Sequence, residues 1–170
     1  MNDHPGRPSW DQYFIRLLDE IASRATCDRG RSGCVVVRDK RIICTGYVGS
    51  PPGLPHCDDE GHDIKQMVDD DGTVRRHCVR TIHAEQNAII NAARAGVSLL
   101  GGDMYVYGSI YGEEKPIDAF PCFICKKMII NCGLNQMISS TADGKMKVFQ
   151  ISQWAKDWRE HDIIDDKHQY

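Results

Sequence analysis

Apolar side chains recur at helical spacing over residues 10–25, where Tyr13, Phe14, Leu17, Leu18 and Ile21 fall on one face and Ser9 stands where a cap belongs. A first helix is predicted there. The period then changes. Residues 34–37 and 41–44 are short β-branched runs separated by Arg38, Asp39 and Lys40, the pattern of an antiparallel hairpin. Residues 46–82 hold Pro51, Pro52, Gly53, Pro55, an acidic run at 69–71 and Gly72, with no apolar period. So long an irregular stretch is functional, disordered, or held by something other than an apolar face. Helical spacing returns over 83–95, with Ala84, Ala88, Ile89, Ala92 and Ala93 as the stripe and Gly96 at the C-terminal cap. A strand is predicted over 103–107 and a loop over 108–120, charged at Glu113, Glu114 and Lys115. A second helix opens at Pro121 and runs to Asn131 before Gly133; a strand over 136–140 and a helix over 151–160 complete the set.

Helices alternating with short strands after an opening hairpin predict an α/β protein, a three-layer α/β/α arrangement around a mixed sheet. The 170 residues contain no internal repeat and are expected to form a single domain, 1–170. Apolar residues make up 41% and charged residues 26%, an ordinary globular balance. No apolar run is long enough for a membrane span, and residues 1–9 are polar with Pro5 and Pro8. A cytoplasmic location is therefore expected. A net charge of −3 argues against a strong grip on phosphate backbones, so a small molecule is favoured over nucleic acid.

Eight cysteines without an export signal are better explained as thiols and metal ligands than as disulfides. Cys34, Cys44 and Cys132 lie in apolar stretches and read as small core residues. Cys122 and Cys125 are different. Spaced i and i+3 at a predicted helix start, they can face one point, where the helix N-terminus favours thiolate. His83, opening the preceding predicted helix, supplies a third, neutral ligand and leaves one tetrahedral position for water. Zinc makes such a water acidic enough to act as hydroxide near neutral pH. Glu85, two residues after His83, is then placed as a proton shuttle that does not bind the metal.

Singly, each of these residues has a plainer reading: a cap, a solvated side chain, a redox pair or half of a structural zinc knuckle. Together, His83-Ala84-Glu85 and Pro121-Cys122-Phe123-Ile124-Cys125 match the His-x-Glu and Pro-Cys-x-x-Cys signature of zinc nucleobase deaminases.

A closer resemblance runs from about residue 10 to 140. Gly46-Tyr47, the run Gly53-Leu54-Pro55-His56-Cys57-Asp58, the run from His77 to Ile89, and Lys127-Met128-Ile129-Ile130-Asn131 with Gly133 resemble the deoxycytidylate (dCMP) deaminase family. The resemblance implies a cytidine deaminase-like fold and hydrolysis of dCMP to dUMP and ammonia. It implies that the backbone amide of Ala84 anchors the pyrimidine carbonyl, and that the protein is a homo-oligomer answering to dCTP and dTTP. Two departures stand out. Val48 occupies the place of an asparagine in the family's Gly-Tyr-Asn-Gly, and residues 108–120 intervene where the family runs almost directly into Pro-Cys. That insertion is expected beside the zinc, as a reshaped wall or a lid.

The resemblance also suggests a second, structural zinc clipping the segment 47–81. Cys27, Cys57, His62 and Cys78 are the favoured ligands, with His56 and His77 as substitutes. Arg29, Arg31 and Arg80 are candidates for a phosphate contact, and Tyr47 for stacking on the base. A tRNA adenosine deaminase would call for a basic surface that this chain lacks. A deaminase of dCTP, deoxycytidine or a modified base remains open, as does a noncatalytic zinc-stabilised nucleotide sensor, against which the intact Glu85 argues.

Overall fold

The computed structural model describes residues 6–68, 72–113 and 115–161, without the side chains of Met67, Arg75, His77 and His161. The first helix, α1 (Trp10–Ser23), starts where Ser9 predicts: Ser9 Oγ accepts from the Gln12 backbone N–H at 3.2 Å, and the Gln12 side chain accepts from the Ser9 N–H at 3.1 Å. Strands β1 (Arg31–Arg38) and β2 (Arg41–Tyr47) form the predicted hairpin, extended beyond its β-branched runs. Asp39 and Lys40 both take positive φ, the conformation of a two-residue hairpin turn.

The segment predicted as irregular is not wholly so. It contains a single helical turn, α2 (Cys57–Glu60), and a separate two-stranded hairpin of β3 (Ile64–Val68) and β4 (Val74–Cys78). Val68 is 68% exposed and Val74 56%, so this hairpin has no apolar face against the core, which is why no period announces it.

Next come α3 (Ala84–Arg94), β5 (Asp103–Ile110), a short β6 (Lys115–Pro116) and α4 (Phe123–Asn131). The chain continues through β7 (Gln136–Ser140), β8 (Met146–Gln150) and α5 (Ile151–His161). Gly96 and Gly133 follow the ends of α3 and α4 with φ of 66° and 69°, as helix C-terminal glycines do. Strand β8 corrects the prediction, which had none there.

The main sheet runs β2-β1-β5-β7-β8, with β6 paired to β5. It is mixed: β5 and β7 are parallel, and the other neighbours antiparallel. Alternate residues divide between its faces. Val35, Val37, Tyr105 and Ile138 pack with Phe14 and Leu18 of α1. Cys34, Val36, Met104, Val106 and Met137 pack with Ala84, Ala88 and Ala92 of α3, Cys125 and Ile129 of α4, and Ile151 of α5. The architecture is therefore the expected three-layer α/β/α. Among the described residues no helix is long and apolar enough to cross a membrane.

Helix α3 lies unusually close to β2. A Cβ added to Gly46 would stand 2.4 Å from both the Ala84 carbonyl oxygen and the Ala88 nitrogen. Asn91 and Asn87 reinforce the contact, donating from Nδ2 to the Thr45 oxygen at 3.0 Å and the Tyr47 oxygen at 2.8 Å. The first turn of α3 is thereby fixed against the sheet edge.

Candidate active site

The residue before each of two helices is a metal-ligand type. His83 caps α3 and Cys122 caps α4, so α4 opens two residues after Pro121, where it was predicted to start. Two core helices thus bring three donors together: the ligand atoms of His83, Cys122 and Cys125 lie within 4.8 Å of one another. His83 Nδ1 is 3.5 Å from each sulfur, and Cys122 Sγ accepts from the Cys125 N–H at 3.4 Å. One imidazole and two thiols on a rigid frame suit a tetrahedral zinc with one position left open.

The cluster's electrostatics favour anionic sulfur. The Cys125 thiol and, against the cost of burial, His83 hold Cys122 down to about 4, while Cys125 is pushed up by Cys122 and by burial. One proton is thus shared between the sulfurs, and a cation would displace it. Burial pulls His83 down, yet its bond to Cys122 and the charge of Glu85 carry the net shift upward. Glu85, 5% exposed, is raised by burial, against the opposing pull of His83. A raised carboxyl beside the metal donors is suited to exchanging protons.

His83 and Glu85 open on a cavity of about 210 Å³. Its lining comprises Ser32, Val48, His83, Ala84, Glu85, Val106, Gly108 and the run Ile117, Asp118, Ala119 and Phe120. The segment 108–120, predicted as a loop, is partly strand: its first residues continue β5, and β6 folds back on them. It then returns along the end of β7, with the Ala119 N–H donating to the Ser140 oxygen at 3.1 Å. The segment is thus a bonded wall of the cavity.

Ala84 and Glu85 line the cavity as expected, but Tyr47, Arg29, Arg31 and Arg80 do not. Arg31 is engaged elsewhere: it bonds the Ala25 carbonyl, pairs with Asp58 at 3.1 Å and lies under the Tyr111 ring at 4.3 Å. Tyr47 is 38% exposed and Arg29 exposed. Arg80 keeps a buried Nε with no hydrogen-bond partner. Sequence reasoning placed the segment 108–120, with Asp118 among its charged residues, beside the zinc, but gave Asp118 and Phe120 no role of their own.

A second cluster assembles where 47–81 meets the loop after α1. Ligand atoms of Cys27, Cys57 and His62 lie within 4.8 Å, and Cys78 Sγ is 3.5 Å from Cys57 Sγ. The His62 ring sits between two roles: Nε2 is 2.6 Å from Asp28, and Nδ1 is buried without a partner. A buried ring nitrogen beside three thiols, on a ring backed by a carboxylate, suits a metal ion. His56 instead caps α2, its Nδ1 also unpartnered, and the His77 side chain lies outside the described residues.

Fold and donor set together define a class, the cytidine deaminase-like zinc proteins. Residues 8–141 match the cytidine and deoxycytidylate deaminase zinc-binding region, and the chain belongs to that family. It is similar to ComE operon protein 2 of Bacillus subtilis (strain 168), 42% identical over 128 residues covering 75% of this chain and 57% of that protein. It is 35% identical to a deoxycytidylate deaminase of Saccharomyces cerevisiae over 79% of this chain and 38% of that one. A deoxycytidylate deaminase of Mycobacterium phage D29 is 31% identical over 78% and 94% respectively. The crystal structure of dCMP deaminase from the cyanophage S-TIM5 with dCMP and dUMP shares the fold, with a TM-score of 0.57, 22% identity, and coverage of 79% of this chain and 83% of that one. The chain spans 57%, 38% and 40% of the lengths of the first three curated relatives.

Proposed function

We propose that this protein deaminates dCMP hydrolytically to dUMP and ammonia. The observation that carries the proposal is a buried carboxyl, Glu85, lining the same cavity as His83, whose ligand atom lies within 4.8 Å of those of Cys122 and Cys125. Zinc held by those three residues supplies Lewis-acid activation of water. Glu85 takes a proton from the attacking water and passes it to the ring nitrogen beside the carbon under attack. It then takes the remaining proton from the hydroxyl added to that carbon, which becomes the carbonyl, and transfers it to the departing amino group. Water adds, ammonia leaves, and the carboxyl returns to its starting state. The backbone amide of Ala84, at the first turn of α3, anchors the pyrimidine carbonyl. Apolar Val48, Val106, Ala119 and Phe120 keep competing water from the ring.

Arg80, with its unpartnered buried Nε, is the proposed phosphate contact, ahead of Arg29 and Arg31. One observation favours a second substrate, deoxycytidine: neither lysine nor arginine is among the lining residues of the cavity. Ammonia release measured in parallel with dCMP, dCTP, deoxycytidine and CMP tests the choice. Preference for dCMP supports the proposal; preference for deoxycytidine replaces it.

The proposal includes a structural zinc on Cys27, Cys57, His62 and Cys78, supported by their convergence and by the unsatisfied His62 Nδ1. Elemental analysis should find two zinc ions per chain, and a single one would remove this site. A homo-oligomer, a cytoplasmic setting and dCTP or dTTP as effectors complete the proposal, supported by family likeness.

A further inference from the structure

Two carboxylates line the cavity, and the proposed chemistry uses one of them. Glu85 lies at the buried end with the metal ligands; Asp118 is exposed, at the solvent end. Asp118 is not loose. Its Oδ1 accepts from the Ala142 backbone N–H at 2.8 Å, which anchors the carboxylate and leaves its other oxygen for a ligand. The backbone on either side is tied to the end of β7: the Ala119 N–H donates to the Ser140 oxygen at 3.1 Å, and Ser140 Oγ to the Ile117 oxygen at 3.4 Å.

A carboxylate only accepts hydrogen bonds, so a ligand must present an O–H or N–H there. A phosphate is repelled from the same place. When the amino group of a cytosine ring is directed to Glu85, the donor left to a deoxyribonucleotide at the solvent end is its sugar hydroxyl. Val48, on the strand-end side of the cavity, has no hydrogen-bonding side chain to compete for it.

We infer that Asp118, carried by the inserted segment, is a specificity-determining residue that accepts a hydrogen bond from the substrate's 3′-hydroxyl. It thereby turns the 5′-phosphate away from the inserted wall. The inference rests on the cytosine deoxynucleotide substrate proposed above.

The test compares dCMP with 2′,3′-dideoxycytidine 5′-monophosphate, using zinc-loaded full-length protein and the variants Asp118→Ala and Asp118→Asn. A hydrogen bond to a charged acceptor corresponds to about ten- to hundredfold in kcat/KM. Asp118→Ala should lose that factor on dCMP, chiefly through KM, and change little on the dideoxy substrate. Asp118→Asn retains an acceptor and the Ala142 contact, so a smaller loss, again confined to dCMP, is expected; it decides the matter if the alanine variant does not fold. Equal losses on both substrates would reveal a merely structural role and overturn the inference, as would no loss on either. Wild-type protein inactive on dCMP would instead strike down the substrate proposal, and the inference with it.

Discussion

The two cysteine-histidine clusters have similar donors and opposite foundations. His83, Cys122 and Cys125 stand at the starts of α3 and α4, whose apolar faces are part of the core. Cys27, Cys57, His62 and Cys78 come from a loop, one helical turn and an isolated hairpin, outside the main sheet. The first set stands on helices packed in the core, a frame that suits an open coordination position kept for chemistry. In the second, the ligands themselves join segments that share little apolar surface, so a metal there would serve as the core that is missing. The same side chains thus point to a reaction in one place and to order in the other.

Removing one ligand from each cluster separates the two roles. His83→Ala should bring deamination to background with little change in Tm, whereas a cooperative loss of fold would mean that packing does not hold this site. Cys57→Ser should do the reverse to stability, costing roughly 3 kcal/mol, or about 6–12 °C in Tm. Limited proteolysis should then cut within residues 50–82; an unchanged digest would erase the contrast between the clusters. Gly46→Ala probes the frame of the first cluster through its clash with Ala84 and Ala88. It should cost about 2 kcal/mol and lower activity by displacing the start of α3; full activity at wild-type Tm would show that this close approach is dispensable.

The smallest effect lies away from both clusters. Tyr105 donates to Asp11 at 2.7 Å, and burial, with that bond, pushes its phenol well above the ordinary tyrosine range. The raised value means that its stabilisation is complete below the ordinary phenol value of about 10 and is lost as pH climbs above it toward the raised folded value. Tyr105→Phe should cost about 1 kcal/mol at neutral pH and flatten the alkaline decline, read from denaturant midpoints. A parallel decline in both proteins would remove Tyr105 as its cause.

Elements with a buried face were legible in the sequence. The apolar spacing of Phe14 and Leu18, the β-branched run ending at Val37 and the glycines after α3 and α4 all act locally, and each element appeared with ends shifted by a few residues. Elements without such a face were not. Strand β8, with Met146 38% and Val148 51% exposed, carries too little burial to mark itself, and the β3–β4 hairpin is similar.

The His83, Glu85, Cys122 and Cys125 group was readable because two short spacings on two helix starts determine it. Substrate contacts depend on how distant segments fold back. Charge alone suggested Arg31, but Asp58 and Tyr111 already engage it; Asp118 gained its place through Ala142 and Ser140, which no spacing relates to it.

The most direct test is ammonia release from dCMP by wild-type protein and Glu85→Gln, with zinc per chain measured on the same samples. Unchanged zinc content with turnover lowered by about 10²–10⁴-fold is the predicted result. A Glu85→Gln variant that retains zinc and deaminates dCMP at the wild-type rate would contradict the assignment of Glu85 as the proton carrier.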